Sequence, residues 1–259
     1  MTLESNTPKY IFIVPYRNRE PHLYFFQKYI TYLLEDYEPT NYEVVIVNQN
    51  DKRPFNRGAM KNIGFLYVKE KYPITYKSCI LIFNDIDTLP YKKGLLNYDV
   101  PVHTIKHFYG YKFALGGIFS IRGEDFESIN GFPNYWGWGF EDNEIHKRAL
   151  VHKMTIDRSV FFPIQSMQIL QFFDGVIRNI DKNILETQFK KNFTENDGIN
   201  LLKNCRYKYN QETNMLDVDW FESKYNHNNI NPMNYNLNSG SKITKSSLYP
   251  KKKLPLLFL

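Results

Sequence analysis

Ser78-Cys79-Ile80-Leu81-Ile82-Phe83-Asn84-Asp85-Ile86-Asp87-Thr88-Leu89-Pro90 opens as a continuous apolar run and closes on two carboxylates around one isoleucine. An unbroken run of this length marks a strand buried on both faces, as in a parallel sheet covered by helices. Ligands of open α/β sheets bind just beyond the carboxyl ends of strands, and Asp85 and Asp87 fall there. In an extended Asp-x-Asp the two carboxylates share one side of the strand. Paired hard oxygens in that place suit a divalent metal bridging two phosphates. Asp-x-Asp alone is common by chance, and its position after a buried strand is what gives it weight.

Towards the N-terminus two further runs repeat the pattern. Tyr10 to Val14 predicts a buried strand, ending at Pro15-Tyr16-Arg17-Asn18-Arg19. The forked donors of Arg17 and Arg19 match the oxygens of a diphosphate; a solvated loop is the other reading. His22 to Asp36 predicts a helix, with Leu23, Phe26, Ile30, Leu33 and Leu34 on one face. Tyr42 to Val47 predicts the next strand. Phe55-Asn56-Arg57-Gly58 then opens a helix with Met60, Ile63, Tyr67 and Val68 inward. Phe55 suits stacking on a base and Arg57 suits a phosphate or uracil, or the two form a hydrophobic staple and an exposed arginine.

Towards the C-terminus, Phe113 to Ile121 predicts a strand kinked at Gly116-Gly117, where backbone can approach a ligand closely. A short helix from Glu124 to Ile129 stops at Asn130-Gly131. Phe132-Pro133-Asn134-Tyr135-Trp136-Gly137-Trp138-Gly139-Phe140-Glu141-Asp142 follows. Flat side chains on glycine hinges suit a lid over a sugar face, and a carboxylate at its edge suits proton abstraction from a hydroxyl. The competing reading is a tryptophan core plug and an acidic cap on the helix from Glu141 to His152. Beyond Val160 the pattern weakens: strand and turn from Phe161 to Phe173, helix from Asp181 to Phe193, and a turn at Asp197-Gly198 into a further strand. From Tyr225 the chain is Asn- and Ser-rich and is expected to be irregular.

This order, β-α-β-α-β and then a mixed half, predicts an α/β domain over residues 10–224, with an N-terminal tail 1–9 and a C-terminal tail 225–259. The last ten residues place Lys251-Lys252-Lys253 before a short apolar end. That end is too short to span a bilayer and suits folding back or weak membrane-surface contact. Net charge is +6, which admits nucleic acid, an anionic surface or a phosphate-bearing substrate. The positive charges are scattered and no nucleic-acid motif accompanies them, so no nucleic-acid partner is expected. The two cysteines do not make a disulfide framework, which points to a reducing compartment, and Cys79 reads as a buried thiol. No secretory signal or spanning run is seen, so a soluble, cytoplasmic protein is expected.

Together the motifs resemble the β-1,4-galactosyltransferase family (glycosyltransferase family 7), inverting enzymes of GT-A fold. The resemblance rests on Val14 to Arg19 with His22-Leu23, Phe55-Asn56-Arg57 with Asn62 to Phe65, Phe83 to Asp87 with Pro90, Gly116-Gly117, and Ile129 to Asp142. It covers residues 10–159 well and the remainder poorly. It implies a Rossmann-like mixed sheet with the nucleotide site at strand carboxyl ends. Pro15, Tyr16, Arg17, Arg19, Phe55 and Arg57 would hold UDP. Asp85, Ile86 and Asp87 would form the metal motif, with Asp87 the direct Mn²⁺ ligand. Ala114, Gly117 and Trp138 would line the donor sugar, with Trp138 the lid. Gly139, Phe140, Asp142 and Asn143 would join Trp138 at the acceptor. Glu141 and Asp142 would be the catalytic pair, with Asp142 the general base.

The departures from the family pattern are specific. The family's downstream Met-x-x-His or His-x-His is Met167-Gln168-Ile169-Leu170 here, so only Met167 is left as an expected metal ligand. Phe140 stands where vertebrate members usually have glycine, and Asn143 where they usually have a carboxylate. Ala114 falls where galactose-specific members carry a tyrosine, which implies room for an N-acetylated donor. The family's membrane anchor is not seen, which suits a bacterial or large-DNA-virus enzyme. The resemblance also admits an inactive UDP-sugar- or glycan-binding module.

Overall fold

Tyr10–Tyr16 (β1) is buried at every position because it runs down the middle of a sheet with apolar layers on both faces. The computed structural model describes residues 7–188 and 196–237. In chain order the elements after β1 are α1 (Glu20–Leu33), β2 (Tyr42–Gln49), α2 (Arg57–Lys71), β3 (Ile80–Asn84), β4 (Thr88–Pro90), β5 (Thr104–Gly110), β6 (Ile118–Arg122), α3 (Gly123–Ser128) and α4 (Glu141–Val151). Then come β7 (Thr155–Asp157), β8 (Phe162–Pro163), β9 (Ile169–Gln171), β10 (Ile177–Asp181), α5 (Lys182–Gln188), β11 (Lys203–Asn210), β12 (Met215–Glu222) and β13 (Pro232–Asn236).

The main sheet runs β11-β12-β2-β1-β3-β6-β5-β7, with β8 alongside β5. Strands β12, β2, β1 and β3 are mutually parallel, while β6 is antiparallel to β3 and to β5. Alternation of side chains splits β1 between two cores. Ile11 and Ile13 join Val45, Val47, Leu81 and Phe83 beneath Ala59, Met60 and Ile63 of α2. Phe12 and Val14 join Ile46 and Ile82 beneath Phe26, Ile30 and Leu33 of α1. The expected α/β class is thus the observed one.

The structure differs from the sequence reading in four places. Helix α1 starts at Glu20 rather than His22, because Pro21 is tolerated in a first turn, where its missing N–H has no partner to lose. Asp85 to Asp87 form a turn rather than extended strand, with Thr88 N–H donating to the Asp85 carbonyl at 3.2 Å. Residues 113–117 are loop, and the strand begins only at Ile118, because Gly117 turns the chain at φ +68°. Finally, the described part of the expected tail is not irregular. β13 pairs antiparallel with β10, and Tyr235 packs on Ile180 and Leu185. Polar side chains hid this strand, but its ladder is made by backbone. The basic end of the tail, the N-terminal tail before Thr7 and the expected helix beyond Gln188 lie outside the described residues. Cys79 is a buried thiol, which burial pushes up to about 11. Among the described residues no helix is long and apolar enough to cross a membrane.

Candidate active site

Because β1, β2 and β3 are parallel, the segments that leave their carboxyl ends meet at one edge of the sheet. Asn56 caps α2 there, its side chain accepting from Ala59 N–H at 2.9 Å, and this sets Arg57 as the first helical residue. The Arg57 guanidinium gathers three carboxylates. Nη2 lies 2.6 and 2.7 Å from the Asp85 oxygens, and Nη1 lies 2.6 Å from Glu141 Oε1 and 2.9 Å from Asp142 Oδ1. Glu141 and Asp142 open α4, where the helix dipole favours negative charge. Lys61, one turn beyond Arg57, reaches the same cluster, 3.5 Å from Asp142 Oδ1 and 3.8 Å from Asp85 Oδ1.

The electrostatics follow from burial and this pairing. Burial opposes the charge on Arg57, but Asp142, Asp85 and Glu141 outweigh it and hold the guanidinium protonated. Burial likewise opposes ionisation of Asp85, yet Arg57 and Lys61 keep its carboxyl below the usual range. Glu141 is pushed up by burial and by Asp142. Its Oε2 is buried and has no hydrogen-bond partner among the described residues.

The turn at the Asp-x-Asp separates the two carboxylates, and they take different cations. Asp85 faces Arg57, whereas Asp87 faces Arg19, whose Nη1 is 3.4 Å from Asp87 Oδ2. Arg19 Nη2 also meets Asp174 at 2.6 Å, and Asp174 binds Arg178 at 2.6 Å. Burial, and then the charges of Asp85 and Asp174 with Arg19 opposing, push Asp87 up to about 7. An unfolded aspartate titrates near ~3.9. Between those values the folded protein binds one more proton than the unfolded, so stability falls as pH rises from about 4 through 7. Asp87→Asn is therefore expected to melt higher than wild type in the presence of a chelator. The advantage should widen from pH 5 to pH 8, and a variant melting no higher at pH 8 would refute this account of Asp87.

Loop 111–117 seals the other side. Gly116 is so close to the helix that a Cβ there would lie 2.4 Å from Asp142 Oδ2, so a larger residue would push that carboxylate out of place. Leu115 N–H donates to the Asp142 carbonyl at 2.9 Å, and Asp85 N–H donates to the Gly117 carbonyl at 3.2 Å. His107 fixes the loop from below. Arg158 Nε donates to its Nδ1 at 3.0 Å, so Nε2 carries the proton and donates to the Gly116 carbonyl at 3.1 Å. Burial and Arg158 lower His107 to about 4, which keeps the ring neutral.

The two tryptophans divide the two readings of their stretch. Trp136 is a core plug: it stacks on Phe221 and donates from Nε1 to the Tyr225 carbonyl at 2.7 Å. Trp138 is 39% exposed, with Arg178 over its ring and its N–H donating to the Asn179 carbonyl at 2.8 Å. Gly139 beside it is at φ +108° with open space around it, a conformation that glycine adopts without strain. Upstream the stretch is held rigidly. Asn62 Nδ2 donates to the Phe132 carbonyl at 2.7 Å, Asn56 Nδ2 to the Asn134 carbonyl at 2.9 Å, and Asn134 Nδ2 to Asp197 at 2.8 Å.

Most expected site residues surround this edge. Pro15 and Tyr16 end β1, and the Phe55 carbonyl accepts from Gly137 N–H at 2.9 Å. Ala114 is buried in the glycine loop, and Asn143 Nδ2 reaches the Phe113 carbonyl at 3.5 Å. Arg17 turns away to Asp51, 3.4 Å distant. The Ile86 side chain is buried in the α1 core, so only its backbone faces the site. Phe140 packs with Ile180, Leu185 and Tyr235.

Met167 is a correction. Phe172 N–H donates to the Asp87 carbonyl, Thr88 opposes Gln171 and Pro90 opposes Ile169. Position 167 lies beyond that ladder, in a turn, and Met167 is 90% exposed. So exposed a side chain is not packed against the largely enclosed Asp87. Among the described residues no three His, Cys, Asp or Glu side chains converge as a metal site. Asp87 remains as the side-chain ligand that fits, a partly buried carboxylate with Asp85 and Asp174 near it and Arg19 as its cation. The sequence reading missed Lys61, although its i+4 spacing from Arg57 puts it on the same face. It also missed His107, Asp174 and Arg178, for which no local signal exists.

Comparison with known proteins agrees with this geometry. A family model described as the N-terminal region of glycosyl transferase group 7 matches residues 5–98, and one described as the N-terminal domain of galactosyltransferase matches residues 99–169. The chain is 35% identical over 165 residues to β-1,4-galactosyltransferase 4 of Cricetulus griseus, a match covering 56% of this chain and 44% of that protein. It is 29% identical over 189 residues to xylosylprotein 4-β-galactosyltransferase of Caenorhabditis elegans, covering 69% and 63%. The chain thus spans less than half the length of the first of these relatives. The catalytic domain of Drosophila β1,4-galactosyltransferase 7 with xylobiose superimposes with a TM-score of 0.62 at 21% identity, over 86% of this chain and 98% of that one. A mutant of the fly enzyme, in complex with manganese, UDP-Gal and xylobiose, gives 0.60 at 20% identity over the same shares.

Proposed function

Because the chain belongs to glycosyltransferase group 7, the β-1,4-galactosyltransferase family, we propose that it is an inverting glycosyltransferase. It moves a hexose, galactose or N-acetylgalactosamine, from a UDP-sugar to a hydroxyl of a sugar acceptor. One observation carries this reading: Asp85, Glu141 and Asp142 converge on Arg57 at the carboxyl edge of the sheet, next to the loop that carries Trp138.

In this reading Asp142 takes the proton of the acceptor hydroxyl as its oxygen attacks the anomeric carbon. A single in-line displacement inverts that carbon. Arg57 and Arg19 carry charge to the departing diphosphate. The orphaned Glu141 Oε2 accepts from a sugar hydroxyl, which relieves a buried unpaired oxygen. Trp138 swings on Gly139 to exclude water. Asn143 and the exposed, stacked rings of Tyr111 and Phe113 face the acceptor side. Asp87 would hold a divalent cation, Mn²⁺ in the fly relative. When bound, such a cation supplies charge neutralisation to the leaving UDP. The rest of its shell would come from phosphate oxygens and water.

The closed state of the carboxylate cluster supports a second reading, a UDP-sugar- or glycan-binding module without turnover, since Arg57 occupies both catalytic carboxylates. UDP release and acceptor product mass, measured across a panel of UDP-sugars with and without Mn²⁺, separate the two. Mn²⁺-dependent turnover of UDP-galactose or UDP-N-acetylgalactosamine is expected, and Ala114 leaves room for the latter. UDP binding without turnover of any donor would favour the module, and absence of UDP binding would refute both.

A further inference from the structure

Lys61 is a fully buried cation that the reaction as written does not use. It is 1% exposed, and the ring of Phe132 lies 4.4 Å from its Nζ. Burial, and then the charge of Arg57, lower its affinity for a proton, and Asp142, Asp85 and Glu141 oppose that. Removing a lysine from water is unfavourable by several kcal/mol before any pairing is counted, of the order of the penalty for other buried ions. A methionine or leucine would fill the same space without that penalty. Packing therefore does not account for the residue, and its two charge contacts, Asp142 at 3.5 Å and Asp85 at 3.8 Å, do.

Arg57 cannot hold the carboxylates and a diphosphate at once. Without a donor its guanidinium is taken up by Asp85, Glu141 and Asp142. In the proposed reaction the same group turns to UDP, and Asp85 and Asp142 then lose their nearest cation. Lys61 sits one helical turn deeper, enclosed by protein, and cannot follow Arg57 outward. Its charge stays inside the protein, against Asp142.

Resting on the glycosyltransferase reading, we propose that Lys61 is a positioning residue for the transfer. Its ammonium holds the Asp142 carboxylate in place, and Asp85 with it, while Arg57 is engaged with the diphosphate. It acts through Asp142 and does not touch the sugars.

The test compares wild type with Lys61→Met and Lys61→Gln. The readouts are thermal melting, calorimetric affinity for UDP with Mn²⁺, and steady-state kinetics with the donor that wild type turns over. Both variants are expected to melt no lower than a few degrees below wild type. UDP affinity and donor KM should stay within threefold, while kcat falls by 10- to 100-fold. A kcat within twofold of wild type in a folded variant would overturn the proposal. So would a loss of UDP affinity that matches the loss of kcat, since that would make Lys61 a donor ligand. A crystal structure of wild type with UDP and Mn²⁺ gives a check that needs no variant. Arg57 should have moved onto UDP with Lys61 still against Asp142, and Arg57 remaining on Asp142 would overturn the proposal. If wild type turns over no donor, the glycosyltransferase reading itself has failed; if wild type is active and the variants are equally so, only the role of Lys61 has.

Discussion

Asp142→Asn is expected to lower kcat by about 10²- to 10⁴-fold, the range for loss of a positioned general base, while UDP affinity stays near that of wild type. Asparagine keeps the shape of the side chain, so the close contact with Gly116 and the backbone bond from Leu115 N–H survive. What disappears is the carboxylate that, in the proposed reaction, takes the acceptor's proton. The fold should not suffer. Asp85, Glu141 and Asp142 face Arg57 and Lys61, so the cluster carries one more anion than cations, and the neutral variant balances it. Melting at or above the wild-type temperature together with collapsed kcat is therefore the expected pair of results. A kcat within threefold of wild type would remove Asp142 from the chemistry.

Arg57→Met is expected to have the largest effect on stability of any single change at the site. It strands three carboxylates that now share one guanidinium, Glu141 buried and Asp85 and Asp142 partly so. Removing one partner of a buried ion pair destabilises by about 3–5 kcal/mol, which for a domain of this size is on the order of 10 °C in Tm. The sign of the pH dependence is fixed by Asp85. Arg57 helps to hold its carboxyl below the usual range, so that stabilisation is present above the unfolded pKa, near ~3.9, and is lost as pH falls. The deficit of the variant should be greatest near pH 7 to 8 and should shrink towards pH 4, as the stranded carboxylates take up protons. UDP affinity should fall as well, because in the proposed reaction the same guanidinium turns to the diphosphate. A Tm within 2 °C of wild type at pH 7.5 would show that Lys61 and water can carry the cluster without Arg57.

Much of the fold was legible because burial leaves a periodic trace. Tyr10 to Val14, Tyr42 to Val47 and Ser78 to Phe83 read as doubly buried strands and are strands. The amphipathic stretch after Phe55 is α2, and the acidic pair Glu141-Asp142 does open a helix. Parallel order then forces the exits of β1, β2 and β3 to one edge, so a strand-end site followed from local pattern alone. The departures arise where local pattern has nothing to report. Asp85-Ile86-Asp87 could be extended or turned on its own terms; the backbone bond from Thr88 to Asp85 and pairing of β4 with β9 decided for the turn. Met167 matched by sequence spacing but sits exposed in the turn before that same pairing. β13 is polar in sequence and is a strand only because β10 is there to receive it.

By itself the sequence determined which segments had to be buried, where helices begin, and which residue types stand at the strand exits. Those are properties of side chains within a few residues of each other, set by hydrophobic period and by helix-terminus chemistry. Tertiary structure alone decided which charge meets which: Arg57 with Asp85, Glu141 and Asp142, Arg19 with Asp87 and Asp174, Lys61 inside rather than outside, Trp136 in the core and Trp138 at the surface. The physical reason is range. Each of these charge pairings joins segments brought together by the crossing of the sheet, and an ion pair or a burial choice depends on what lies across space, which no window of neighbouring residues contains.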